Sequence, residues 1–156
     1  MRERVVLTLL LLFTPAALAQ TLPAGWKVVK DAKSACQIGI PPEWDSWKDS
    51  AGAAVFKDPS MAIAVVTNQP GQKFEALTPA MVRMLGIAKE KLFENTAKRL
   101  FYQDRTSGGG EQPNAYSASV PVEGGTCSCR IVFLPAVEKE TVKKIVLSLG
   151  PATSGS

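Results

Sequence analysis

The clearest absence from this sequence is histidine, of which the chain of 156 residues has none. This absence removes the usual general base near neutral pH, histidine-activated nucleophiles and imidazole metal ligands. No other catalytic set is recognisable. We therefore expect a protein that is not an enzyme and uses no cofactor, and we keep an enzyme with an unrecognised site as an alternative.

A block of basic charge is also missing. The 18 lysines and arginines are interspersed with 14 aspartates and glutamates, which gives a formal net charge of +4. Proteins that bind nucleic acid usually concentrate positive charge in a patch or stripe. The sequence therefore predicts a mixed, solvated surface and no nucleic-acid partner.

The longest apolar run lies at the N-terminus, between Val5 and Phe13. Arg2 and Arg4 precede it and the small-residue signal Ala17-Leu18-Ala19 follows it, which is the pattern of a secretory signal peptide. The run is too short to cross a bilayer as a helix. We predict a signal peptide at residues 1–19, export to the periplasm or the cell exterior, and no stable membrane insertion after cleavage.

The remaining chain lacks repeats and linkers, and its length suits one domain. We assign residues 20–150 to a single domain and residues 151–156 to a disordered tail. Apolar residues that alternate with polar ones predict most of the strands and place the apolar set on one, inward face. Examples of such sets are Cys36, Ile38 and Ile40, and Cys127, Cys129, Ile131 and Phe133. The predicted strands are 26–29, 36–40, 53–58, 61–67, 99–105, 114–122 and 126–135.

Two segments carry apolar residues at helical spacing. In the first, Thr78 can cap a helix whose first residue is Pro79. Its stripe is expected to face the core and to cover the second face of the strand 61–67, which is apolar at every position from Met61 to Val66. The stripe of this first helix consists of Met81, Met84, Leu85, Ala88 and Leu92, and that of the C-terminal helix consists of Val142, Ile145, Val146 and Leu149.

This order of elements resembles the PsbP-like superfamily, which is named after an extrinsic photosystem II subunit. The likeness rests on W-K-V-V at residues 26–29, C-Q-I-G-I-P-P-E-W at 36–44, A-A-V-F-K-D-P at 53–59 and K-K-I-V-L-S-L at 143–149. The resemblance implies an α+β fold, an α/β/α sandwich with a central, mostly antiparallel sheet flanked by helices. It implies a binding or assembly scaffold, and it provides no site residue that can be carried over to this chain.

Three cysteines in an exported chain allow at most one internal disulfide. Cys127 and Cys129 lie two positions apart on one strand, so a bond between them would be strained. Cys36 could pair with Cys127 or with Cys129. Two alternatives stay open: all three are buried thiols, or they form a thiolate site for Cu(I).

Trp44 and Trp47 lie three residues apart near the second predicted strand. They could form an aromatic, ligand-facing platform, although the preferred interpretation is that one or both cover the end of the core. The function that these patterns favour is an exported, non-catalytic binding or assembly module of the cell envelope. Its partner would be a protein or a small ligand, and the first alternative is a Cu(I)-handling protein.

Overall fold

Two antiparallel sheets and two short helices form the structure. The computed structural model describes residues 22–31, 33, 35–48, 54–58, 62–104 and 114–153. The predicted signal peptide at residues 1–19 lies outside these residues. The strands are β1 (Lys27–Lys30), β2 (Cys36–Ile40), β3 (Asp45–Lys48), β4 (Ala54–Lys57), β5 (Ile63–Pro70), β6 (Leu92–Asn95), β7 (Leu100–Asp104), β8 (Asn114–Val122), β9 (Gly125–Phe133) and β10 (Gly150–Pro151), and the helices are α1 (Pro79–Met84) and α2 (Lys139–Leu147).

The larger sheet, here called the main sheet, has seven strands in the order β3-β4-β5-β9-β8-β7-β6. The small sheet has three strands in the order β1-β2-β10. Each neighbouring pair is antiparallel. Strands β8 and β9 form the longest hairpin, whose turn places Gly124 at a φ of 73°, a backbone angle that glycine adopts at little cost. Every predicted strand is present, whereas β3, β6 and β10 were not predicted.

The core lies between the inner face of the main sheet, the small sheet and helix α2. Alternate residues of β9 point into it, as the period-two pattern predicts, and the predicted stripe of α2 is buried against β2, β8 and β9. These two expectations are therefore confirmed. The buried residues from the three elements are Cys127, Cys129, Ile131 and Phe133 of β9, Val142, Ile145 and Val146 of α2 with the following Leu149, and Cys36, Ile38 and Ile40 of β2.

Helix α1 does not cover the outer face of the main sheet, and this expectation was wrong. No residue of α1 is buried, and Met84 is 78% exposed. Ile63 and Val65 of β5, which the helix was expected to cover, line an open groove instead. In the part of the chain that the structure describes, the helical layer is α2 alone, on the inner face. The flanking of the sheet by helices on both faces is corrected accordingly, while the α+β class with mostly antiparallel sheets is confirmed.

The predicted first helix is also too long, because a glycine ends it. Thr78 caps its N-terminus and Pro79 is its first residue, as expected. Gly86 then adopts a φ of 65° and donates its N–H to Arg83 O, while Ile87 N–H donates to Val82 O. This pair of hydrogen bonds is the Schellman motif, which closes a helix where a glycine can take a left-handed conformation. Beyond it the chain forms a 3₁₀ turn at Lys89–Lys91 and then β6 from Leu92, instead of two further helical turns.

The C-terminal segment stays in the fold longer than the sequence indicates. Pro151, assigned to the disordered tail, pairs with Cys36 in the small sheet. Ala152 N–H donates to Ala35 O at 2.9 Å, and Thr153 N–H donates to Gln37 Oε1 at 3.0 Å. The predicted tail boundary at residue 151 is therefore too early. Within the described residues, neither helix is long and apolar enough to span a bilayer.

Candidate functional site

The outer face of the main sheet, here called the open face, carries a row of side chains from five of its strands. Residues paired between neighbouring strands point to the same face of a sheet. The register therefore places an aromatic residue near each end of the row and a cation near its middle. From β3 to β7 the row consists of Trp47, Val65, Arg130, Ser117 and Tyr102, and β4 lies between the first two of these residues.

An ion pair holds the cation of this row in place. Arg130 Nε donates to Asp104 Oδ2 at 2.9 Å, and Ser117 Oγ donates to the same oxygen at 3.4 Å. Because both charged side chains are partly exposed to water, such a pair contributes only about 0–1 kcal/mol to stability. Its main effect is to fix the orientation of the guanidinium on the open face.

A groove of about 690 Å³ runs along this face, a volume within the range of ligand-binding sites. Ile63, Val65 and Val132 form its apolar part. At the other end, the hydroxyl oxygens of Ser119 and Ser128 lie 2.9 Å apart. The groove thus offers an apolar surface next to hydroxyl groups, which suits the binding of a partly apolar surface.

The hydroxyl groups of the groove are poorly placed for nucleophilic catalysis. A serine becomes a nucleophile when a neighbouring base removes its proton, and Asp104, the carboxylate next to Ser117, is already held by Arg130. Burial raises the pKa of Tyr102, and the negative charge of Asp104 raises it further. Tyr102 therefore stays a neutral phenol at physiological pH and serves as an aromatic surface with a hydrogen-bonding hydroxyl.

The cysteines lie on the other side of the main sheet. Cys36 of β2 forms a disulfide with Cys127 of β9, with 5.7 Å between their Cα atoms, a normal span for this bond. Cys129 is free and fully buried, and burial raises its pKa to about 12. In this arrangement one protonated thiol remains, so the three cysteines do not form a thiolate site for Cu(I).

The structure separates the two tryptophans that the sequence grouped together. Trp44 is 2% exposed and belongs to the core, as the preferred interpretation had it. Trp47 is 44% exposed and lies on the open face. The two indoles do not form a joint platform, and only Trp47 is available to a partner.

Sequence reasoning missed the polar centre of the open face, Arg130 with Asp104 and Tyr102. A usable signal was present, because residues that alternate with the buried ones must lie on the opposite face. In β9, Ser128 and Arg130 fall between the inward positions, and in β7 Tyr102 and Asp104 share one side. What the sequence did not provide was the pairing that brings β7 and β9 to the two sides of β8.

The fold is PsbP-like. The structure is similar to the solution structure of cyanobacterial PsbP (CyanoP) from Synechocystis sp. PCC 6803, with a TM-score of 0.55 and 12% sequence identity over 83% of this chain and 94% of that one. It is similar to the same degree, with a TM-score of 0.55, to a crystal structure from Bacteroides thetaiotaomicron VPI-5482. There the identity is 10% over 85% of this chain, which spans 50% of the length of the Bacteroides chain.

No protein-family model matches the sequence, and no curated protein matches it. The likeness to the two solved structures therefore concerns the fold. The resemblance to the PsbP-like superfamily, predicted from the order of the elements, is confirmed at this level.

Proposed function

We propose that this protein is an exported, non-catalytic assembly module of the cell envelope that binds a partner protein through the open face. The observation that carries this proposal is the row of side chains on that face, in which Trp47, Arg130 and Tyr102 are aligned by the strand register. Tryptophan, tyrosine and arginine are the residues most enriched among the few that dominate protein–protein binding energy.

The composition of the open face supports a protein partner. Trp47 and Ile63 are large apolar residues that lie exposed on strands of the main sheet. Burying them against a partner would remove their apolar surface from water, at about 25 cal/mol for each Å². The oriented guanidinium of Arg130, on the strand next to that of Ile63, would supply directional hydrogen bonds. Aromatic residues and arginine are enriched in binding interfaces relative to the rest of a protein surface.

Two further features support a place in the envelope. The charged start, apolar run and small-residue site of residues 1–19 have the pattern of a secretory signal. The Cys36–Cys127 disulfide is a bond that persists in exported compartments and is rare in the cytosol. Mass spectrometry of the protein from producing cells should find a mature chain that starts at Gln20. An uncleaved chain with reduced cysteines would contradict export.

Site-specific photo-crosslinking in the producing cells tests the binding face. Lys57, which is exposed on β4, pairs with Ile63 on the open face and can be replaced by a photoreactive residue. Lys144, exposed on α2 away from that face, is the control position. We expect a discrete adduct with one partner protein from position 57 and no such adduct from position 144.

A matched pair of substitutions makes this test specific. Ile63 on the open face is 44% exposed and Val28 on the small sheet is 47% exposed, so a charge at either position should leave the fold intact. Ile63→Asp should abolish the adduct from position 57, and Val28→Asp should preserve it. Equal effects of the two substitutions, no adduct, or an adduct with a second copy of this chain would overturn the proposal.

A further inference from the structure

A second cavity lies at the end of the core, remote from the open face. It has a volume of about 380 Å³ and shares no lining residue with the groove on the main sheet. The small sheet, the residues that follow α2, the end of β8 and the turn between β6 and β7 enclose it. Its walls are mainly apolar and include Leu22, Val28, Ile38, Val120, Leu147 and Leu149. We call it the end pocket.

The notable polar group of the end pocket is Arg99. Its side chain is only 20% exposed. Nη2 donates to Leu147 O at 3.0 Å and to Leu149 O at 3.5 Å, which ties the guanidinium to the end of α2. Nη1 lies 3.9 Å from Glu94 Oε2.

The Nε–H group of Arg99 is buried and has no hydrogen-bond acceptor within the described part of the chain. A buried donor without a partner is costly, about 1–3 kcal/mol and more for a charged group, so such groups are rare and call for an explanation. Arg99 also lines the pocket, so an anionic ligand there would lie close to this incompletely compensated cation. Lys98, which also lines the pocket, would supply a second positive charge.

The geometry points to a small apolar carboxylate, such as a medium-chain fatty acid, as the ligand of the end pocket; we propose this as a binding site of the protein. The apolar walls formed by Val28, Val120 and Leu147 would hold the hydrocarbon chain. The carboxylate would lie next to the Arg99 guanidinium and the Lys98 ammonium, since both residues line the pocket.

The volume and the charge of the end pocket both limit the ligand. A volume of about 380 Å³ is near the lower end of the range for ligand sites, so the ligand is small. A carboxylate carries one negative charge, whereas a phosphate carries more charge and more acceptor oxygens. Glu94 lies near Nη1 and partly offsets the positive charge of Arg99. The pocket therefore suits a ligand with one negative charge better than a phosphate.

Calorimetric titration of the mature protein with decanoate tests the proposal, and n-decanol and decyl phosphate serve as comparison ligands. We expect decanoate to bind with one-to-one stoichiometry, at least tenfold more tightly than either comparison ligand. Absence of decanoate binding below its micellar concentration would overturn the proposal, and so would equal or tighter binding of the alcohol or the phosphate.

Variants then locate the site. Val28→Trp fills the mouth of the end pocket and should abolish decanoate binding, while Ile63→Trp, a matched change on the open face, should leave it unchanged. Arg99→Gln should weaken binding at least tenfold. Because Arg99 also supports the end of α2, the exposed Lys98→Gln provides a second test without that contact, with an expected loss of severalfold. Unchanged affinity in Val28→Trp or in both charge variants would overturn the assignment.

The two proposals fail independently. Partner binding depends on Ile63, Trp47 and Arg130, and decanoate binding depends on Val28, Lys98 and Arg99. Absence of an adduct from position 57 in the otherwise unaltered protein, with decanoate binding intact, would contradict the proposed function alone. A normal adduct without decanoate binding would contradict the end pocket alone.

Discussion

The two faces of strand β9 differ in burial, in polarity and in the bonds that their side chains form. On the inner face, Cys127, Ile131 and Phe133 are fully buried, and Cys127 is bonded to Cys36. On the open face, the residues between them include Ser128 and Arg130, which are in contact with water. Successive positions of one strand therefore serve the stability of the fold and the surface available to partners.

The difference shows how this fold can change its partners without losing its stability. Hydrophobic burial and the disulfide stabilise the inner face, where the removal of even one methylene group lowers the free energy of unfolding. On the open face, the Arg130–Asp104 pair contributes little to stability because water screens it. Substitutions on the two faces should therefore separate stability from binding, and the four experiments below test this separation.

The largest effect is expected from removal of the disulfide. The Cys36→Ala, Cys127→Ala double variant should lose about 4 kcal/mol of unfolding free energy, because the bond closes a loop with a sequence separation of 91 residues. Urea denaturation measures this loss. Cys129→Ala retains the bond and should lose only about 1 kcal/mol. Similar losses in both variants, or alkylation of Cys36 without reductant, would show that the bond does not stabilise the inner face.

A large aromatic residue of the inner face provides the next test. Phe133 is fully buried and packs against Tyr116, with 5.1 Å between the ring centroids. Phe133→Ala should cost about 3–4 kcal/mol. Val132→Ala, at the adjacent position on the open face, should cost less than about 1 kcal/mol. The contrast between the faces would fail if chemical denaturation gave comparable costs.

The buried thiol of Cys129 should make stability depend on alkaline pH. Its ordinary pKa of 9.0 is raised to about 12 by burial in the native state. Between these values the unfolded chain has released the proton that the native thiol retains, so the unfolded state binds fewer protons. The free energy of unfolding should therefore fall as the pH rises above 9, by at most about 1.4 kcal/mol per pH unit.

Comparison with Cys129→Ala isolates the contribution of the thiol from those of lysine and tyrosine, which titrate in the same range. The difference in unfolding free energy between the two proteins should be constant below pH 9 and should shrink above it. A constant difference up to pH 11 would mean that the thiol is accessible to solvent in the native state.

The smallest effect on stability is expected on the open face. Arg130→Gln removes the exposed ion pair with Asp104 and should change the unfolding free energy by less than about 1 kcal/mol. The same variant should lose the photo-crosslinked adduct formed from position 57. A stability loss of several kcal/mol, or an unchanged adduct, would contradict the separation of roles between the two faces.

Much of the fold followed from local patterns. The alternation in β9 identified the four inward residues, since the side-chain period of a strand is fixed by its backbone. The stripe of α2 identified its buried face for the corresponding reason. These predictions succeeded because both elements pack against other parts of the core, so their apolar faces are buried.

The same reasoning failed for α1. Met81, Met84 and Leu85 have the spacing of a buried stripe, but all three are exposed. An amphipathic pattern shows which side of a helix is apolar and does not show whether another element packs against it. The cost of Gly86 within a helix was the available warning, and the glycine turns out to end the helix.

The candidate site was less predictable than the fold. Trp47 was recognised as an aromatic residue that could face a ligand, but its separation from Trp44 depends on the position of β3 at the edge of the main sheet. The pairing of Arg130 with Asp104 joins residues 26 positions apart in the chain. Such contacts depend on the order of strands in a sheet, which alternation within single strands does not specify.

The cysteines separate what the sequence by itself determines, the face on which each thiol lies, from what the tertiary structure decides, the pairing of the thiols. The period of two places both Cys127 and Cys129 on the inner face and makes a bond between them unfavourable. This local rule treats the two thiols alike, so it leaves the partner of Cys36 open. Only the packing of the small sheet against β9 brings Cys36 to Cys127, with 5.7 Å between their Cα atoms. The same packing leaves Cys129 as the buried, protonated thiol, because its distance from Cys36 is a property of the folded chain and not of its sequence pattern.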